Sequence, residues 1–97
     1  MEIVLHVDGK NYQKFRDAIF RDENVSRASI VFKEAKIYGG SEGYYCYIFG
    51  SDHQCKKALE ISKDLAKKLD SKKEKEFISK LKEEENKAAE AFGDTFG

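Results

Sequence analysis

Cys46, His53, Cys55 and His6 are the side chains that could serve as soft metal ligands or as a Cys–His nucleophile pair. Three of them fall in one stretch, GYYCYIFGSDHQC, residues 43–55. A zinc site needs four ligands, usually in close pairs such as C-x-x-C. Here one H-x-C pair stands with two singletons. At the start of a helix, residues two apart point away from each other, so His53 and Cys55 do not converge. Catalysis by a thiol needs contact between nucleophile and base. Cys46 lies inside an apolar run and Cys55 on an apolar helical stripe, where thiols behave as small hydrophobes. The stretch therefore reads as a core strand followed by a capped helix start. No metal or cofactor is expected, and no enzymatic activity.

The loop GGSEG could cradle a phosphate only if its amides opened a helix. It leads into a strand instead and reads as a hairpin connection. The motifs G-x-S-x-G and H-E-x-x-H do not occur, and no paired carboxylates stand out.

Lysines crowd residues 56–82, and acidic residues dominate after Glu83. The lysines Lys56, Lys57, Lys63 and Lys67 could contact RNA phosphates, with Tyr44, Tyr45 and Tyr47 available to stack bases. The same charges also suit a solvated helix face laced with i,i+4 pairs. A KH-type RNA-binding domain would need a G-x-x-G loop between two helices, and none is present.

These residues must be positioned by a small framework. Ninety-seven residues make one domain, too short to enclose a deep substrate cavity. At 40% hydrophobic and 37% charged, the chain is globular with a heavily charged surface. The 18 basic and 18 acidic residues cancel, so no global field draws it to nucleic acid or lipid. The longest apolar run is far below a membrane span. No basic leader precedes the first apolar stretch, so a cytoplasmic protein with reduced thiols is expected. Frequent Lys and Glu with only two Gln suit a thermophile.

Ile3, Leu5 and Val7 alternate with Val4 and His6 in a first strand that ends at Asp8-Gly9. Asn11 can cap a helix carrying Tyr12, Phe15 and Ile19 and ending near residues 21–24. A second strand starts at Val25, with Ala28, Ile30 and Phe32 on one face. The apolar phase then slips to Ala35 and Ile37, which requires a bulge or tight bend near residues 33–34. A third strand spans Tyr44–Phe49. Ser51 and Gln54 form a capping box for a long helix striped by Cys55, Ala58, Leu59, Ser62, Leu65, Ala66 and Leu69. Ser71 and Glu74 form a second box. The third helix that follows carries Phe77, Ile78, Leu81, Ala88, Ala89 and Phe92, with Gly93 as its C-terminal cap. Its centre, KEEENK, has no apolar residue, so it is expected to pack loosely or to dock elsewhere.

The fold expected is α+β: a β-α-β-β-α core over residues 1–70 with a three-stranded antiparallel sheet, and a C-terminal helical extension over residues 71–97. This pattern resembles the small dimerisation subunit of the KEOPS complex, which makes threonylcarbamoyladenosine on tRNA in archaea and eukaryotes. The matching pieces are EIVLHVDGKNYQKFRDAIF, VSRASIVFKEAKIYGG with GYYCYIFGSD, and HQCKKALEISKDLAKKL. They cover residues 2–69 by element order and length. Lys56 or Lys57 and Ser62 stand only loosely where that family carries an arginine and an Asn-Ser-like pair. The resemblance implies a non-catalytic subunit that dimerises and docks on a catalytic partner.

Strand residues alternate between faces, so Tyr44, Tyr45, Tyr47, Ile48 and Phe49 cannot all face one core. Two helices cover one face of a small sheet. The remainder is expected to pair with a second copy, with Tyr44, Tyr45, Tyr47, Phe49, Leu65 and Leu69 as the interface. A homodimer within a larger protein complex is thus the leading expectation, RNA (tRNA) contact the alternative, and membrane association is not expected.

Overall fold

The computed structural model describes residues 1–96, and side chains through residue 85. Strand β1 (Glu2–Val7) leads through a 3-10 turn into helix α1 (Tyr12–Arg21). A second 3-10 turn (Val25–Arg27) precedes β2 (Ser29–Glu34), and a third (Ala35–Tyr38) follows it. Then come β3 (Tyr44–Phe49), α2 (Asp52–Ile61), β4 (Ala66–Lys68) and α3 (Ser71–Phe96). The strands form one antiparallel sheet in the order β2-β3-β1-β4. With α1 and α2 as crossovers, this is the β-α-β-β-α-β split connectivity of ferredoxin-like domains. It is an α+β fold, as expected, but the sheet has four strands rather than three.

The fourth strand corrects the reading of the second helix. α2 stops at Ile61, and Ala66 and Lys67 pair with Val7 and His6 of β1. Leu65 and Leu69 therefore do not share a helix face. Leu65 packs into the core between sheet and helices, and Leu69 into the core on the opposite side. The second strand begins at Ser29 rather than Val25, because residues 25–27 form a turn. The expected break in phase near residues 33–34 is met by ending β2 at Glu34 and turning the chain at Ala35–Tyr38. Gly43 closes the hairpin connection at φ +106, where any Cβ would collide with the Val7 carbonyl.

Capping follows the sequence at one helix and departs from it at two. Ser51 accepts the Gln54 N–H while the Gln54 side chain accepts the Ser51 N–H, a complete box. Asn11 makes no side-chain cap bond. At α3 the capping oxygen belongs to Asp70, which accepts the Lys73 N–H at 2.9 Å, not to Ser71. Glu74 is thereby released for another partner. Gly93, expected as the cap of α3, falls inside its bounds. The side chains of Ala88, Ala89 and Phe92 lie outside those described.

One face of the sheet (Ile3, Leu5, Val7, Cys46, Ile48) packs against Phe15 and Ile19 of α1 and Cys55 and Ala58 of α2. The other face (Val4, Tyr45) is covered by Phe77, Ile78 and Leu81 of α3. Polar contacts supply what the apolar stripe of α3 lacks. Glu74 accepts the Val4 N–H, Lys82 reaches Glu2 at 3.9 Å, and Glu84 takes the Tyr38 hydroxyl at 2.8 Å with Lys33 at 4.0 Å. Lys82 and Glu84 of the KEEENK segment thus fasten the helix to the sheet and to the turn after β2, where the sequence suggested loose packing.

Candidate interaction surface

Strand β2 is the outer strand of the sheet on the side away from β4. Ser29, Val31 and Lys33 stand opposite Phe49, Tyr47 and Tyr45 of β3. The Ala35 N–H donates to the Gly43 carbonyl at 3.0 Å and continues that register. Hydrogen-bonded pairs alternate in an antiparallel ladder, so Ser29, Val31 and Lys33 turn their backbone groups toward β3. Ile30, Phe32 and Glu34 turn theirs outward. No described residue takes up those outward groups.

The side chains of this edge are half-covered. Ile30, Val31, Phe32 and Lys33 are all of intermediate exposure. Phe20 of α1 stands 46% exposed beside Phe32, ring centroids 6.3 Å apart, and the Arg16 guanidinium lies over both rings. On the α3 side, Phe49 is 54% exposed and lines a groove of about 240 Å³ with Ser29, Tyr47, Ile78 and Leu81.

The residues expected at an interface separate under this geometry. Tyr45 is buried, with its ring edge-on to Phe77 at 5.0 Å. Tyr44 stacks on Tyr12 at 4.1 Å. Leu65 and Leu69 are half-buried within the domain. Tyr47 and Phe49 alone remain beside the groove, and the Tyr47 hydroxyl is held by Glu2 at 2.6 Å. Burial, followed by that carboxylate, raises the Tyr47 pKa strongly. The β2 edge was missed from sequence, although the absence of proline and of a second lysine in SIVFKE is a legible sign of an unguarded strand.

The four lysines also divide. Lys63 and Lys67 line a depression together with His6, Asp8 and Asn11, and Lys67 continues into a neighbouring cleft with Lys68, Lys73, Lys80 and Ser41. Lys56 and Lys57, on α2, line neither. The His6 ring Nε2 is bonded to the Glu42 carbonyl at 2.8 Å.

Both thiols are shielded. Burial pushes the Cys46 thiol up to about 12 and raises that of Cys55. His53, two residues from Cys55, is exposed. Among the described residues no three His, Cys, Asp or Glu side chains converge as a metal site would require, and no helix is long and apolar enough to cross a membrane.

Fold and surface together define a small α+β domain with split β-α-β connectivity, a covered sheet and an open edge at β2. No family model, curated protein or solved structure matches the chain.

Proposed function

We propose that the protein is a non-enzymatic interaction module that self-associates through the open side of its sheet. The observation that carries this reading is the outer edge of β2, with free backbone groups at Ile30, Phe32 and Glu34 between half-exposed apolar side chains. Long apolar edges template pairing with another strand, and proteins that stay monomeric usually guard them with proline, bulges or lysine. The burial of both thiols supports a role other than thiol chemistry. The resemblance to the small KEOPS subunit supports, as part of the same reading, an accessory place in a tRNA-modifying assembly. Sedimentation at micromolar concentration in molar salt tests self-association. A dimer is expected to persist there, because backbone pairing and apolar burial are weakly screened. A strictly monomeric species overturns the reading.

A second reading, RNA contact, draws on the convergence of Lys63, Lys67, Lys73 and Lys80 around adjoining depressions. None of these four makes an ion pair with a described residue. Asp8, Asp64, Asp70 and Glu76 line the same depressions and offset part of that charge. The dimer reading therefore ranks first.

A further inference from the structure

We infer that β2 pairs antiparallel with β2 of a second copy, with Val31 at the two-fold axis, joining two four-stranded sheets into one continuous sheet. This rests on the self-association proposed above and specifies its surface and register.

A two-fold axis perpendicular to the sheet keeps each face continuous, so every residue must oppose one on its own face. Two registers then keep all of β2 in the pairing. With Val31 opposite Val31 of the second copy, Ile30 opposes Phe32 twice, Ser29 opposes Lys33, and Glu34 opposes Ala28. With Phe32 opposite Phe32, Ile30 faces Glu34 and Val31 faces Lys33, which sets each charged residue against an apolar one. The first register sets the apolar Ile30 and Phe32 against each other and Val31 against itself, and cross-strand apolar and aromatic pairs stabilise a sheet.

The backbone permits this register, as it does the other, since both set outward-turned residues opposite one another. Ile30 and Phe32 are the residues whose N–H and C=O groups turn outward, and in this register they form the hydrogen-bonded pairs. Val31, bonded inward to β3, falls at a non-hydrogen-bonded position, where two Cα atoms approach to about 4.5 Å.

Charge identifies the occupant as a second copy of this chain rather than an unrelated strand. The segment RASIVFKE begins with exposed Arg27 and ends with exposed Glu34. Neither makes an ion pair with a described residue. In antiparallel self-pairing each Glu34 opposes Ala28 and so stands one position from Arg27 of the other copy, once at each end of the apolar centre. Lys33, the residue that would guard the edge, instead has its ammonium 4.0 Å from Glu84 on α3.

Charge reversal and cross-linking in the full chain test the register. R27E and E34R each place like charges at both ends of the ladder, and each is expected to raise the dimer dissociation constant about tenfold at low salt. The double variant R27E/E34R is expected to restore it. Independently, V31C should form an interchain disulfide under mild oxidation, since the opposed Cα atoms lie within disulfide range. The native thiols are buried and do not compete. Circular dichroism confirms that each variant is folded. A dimer that survives in molar salt while both single reversals leave it unchanged and V31C stays uncrosslinked overturns the register and leaves self-association standing. A monomer under every condition overturns both.

Discussion

Glu74 of α3 accepts the backbone N–H of Val4 in β1 at 3.0 Å, across 70 residues of chain. Val4 is fully buried, and the Leu69 N–H already donates to its carbonyl at 3.0 Å. Strand β4 is too short to supply the matching acceptor, so the helix carboxylate completes the ladder. The same oxygen lies 3.1 Å from the Lys68 ammonium, and the Glu74 side chain is only 15% exposed.

Replacing Glu74 with alanine leaves the buried Val4 N–H without an acceptor. The expected loss is about 1–3 kcal/mol of unfolding free energy. Glu74→Gln keeps an acceptor and loses only the charge opposite Lys68, so its loss should be smaller. Urea denaturation of the two variants beside the parent protein measures the difference. Equal stability of all three would show that the bridge is idle.

Phe77 is 2% exposed and meets both Tyr38 and Tyr45 edge-on. Phe77→Ala should cost about 3–5 kcal/mol, the range for deleting a buried ring. Losing that anchor should also expose the Val4 and Tyr45 face. Increased binding of an apolar dye at low denaturant reports the opening, and an unchanged signal would mean that α3 holds without its ring.

Tyr38 has its pKa raised from 10.0 to about 12, first by burial and then by the hydrogen bond to Glu84. Tyr47 is shifted the same way. A raised phenol pKa means that the folded state holds the proton more tightly than the unfolded chain. The associated stability is complete below pH 10 and is lost as pH climbs from 10 toward 12. Ultraviolet titration of the phenolate should show two late-ionising tyrosines, and Glu84→Gln should bring one of them earlier.

Cys46 and Cys55 are both 0% exposed. Native protein should react with a thiol reagent at the rate of its opening, and fully only after unfolding. Rapid labelling of either thiol without denaturant would contradict their burial.

If RNA binds, Lys63 and Lys67 should carry part of it, since both line the depression beside His6. Neutralising the pair should lower the slope of log affinity against log salt by about two units at most. The same substitution at Lys56 and Lys57 should change the slope less. Equal effects of the two pairs would dissolve the distinction that the depression draws.

The sequence by itself determined the elements whose signals are local. Alternation placed β1, an unbroken apolar run placed β3, helical spacing placed α1, and the reciprocal Ser51–Gln54 box placed the start of α2. The apolar burial of both thiols was legible for the same reason. The end of α2 was not. Leu65, Ala66 and Leu69 fit a helical stripe, and what makes residues 66–68 a strand is the free side of β1, some sixty residues earlier in the chain. The cover on the second sheet face was hidden likewise. The polar residues of KEEENK look unfit to pack until Glu2, Lys33 and Tyr38 are brought beneath them. A periodicity states which side of an element is apolar. Only the closed tertiary structure states which partner meets it, and here that decided that α3 covers Tyr45 and that the edge of β2 is left open.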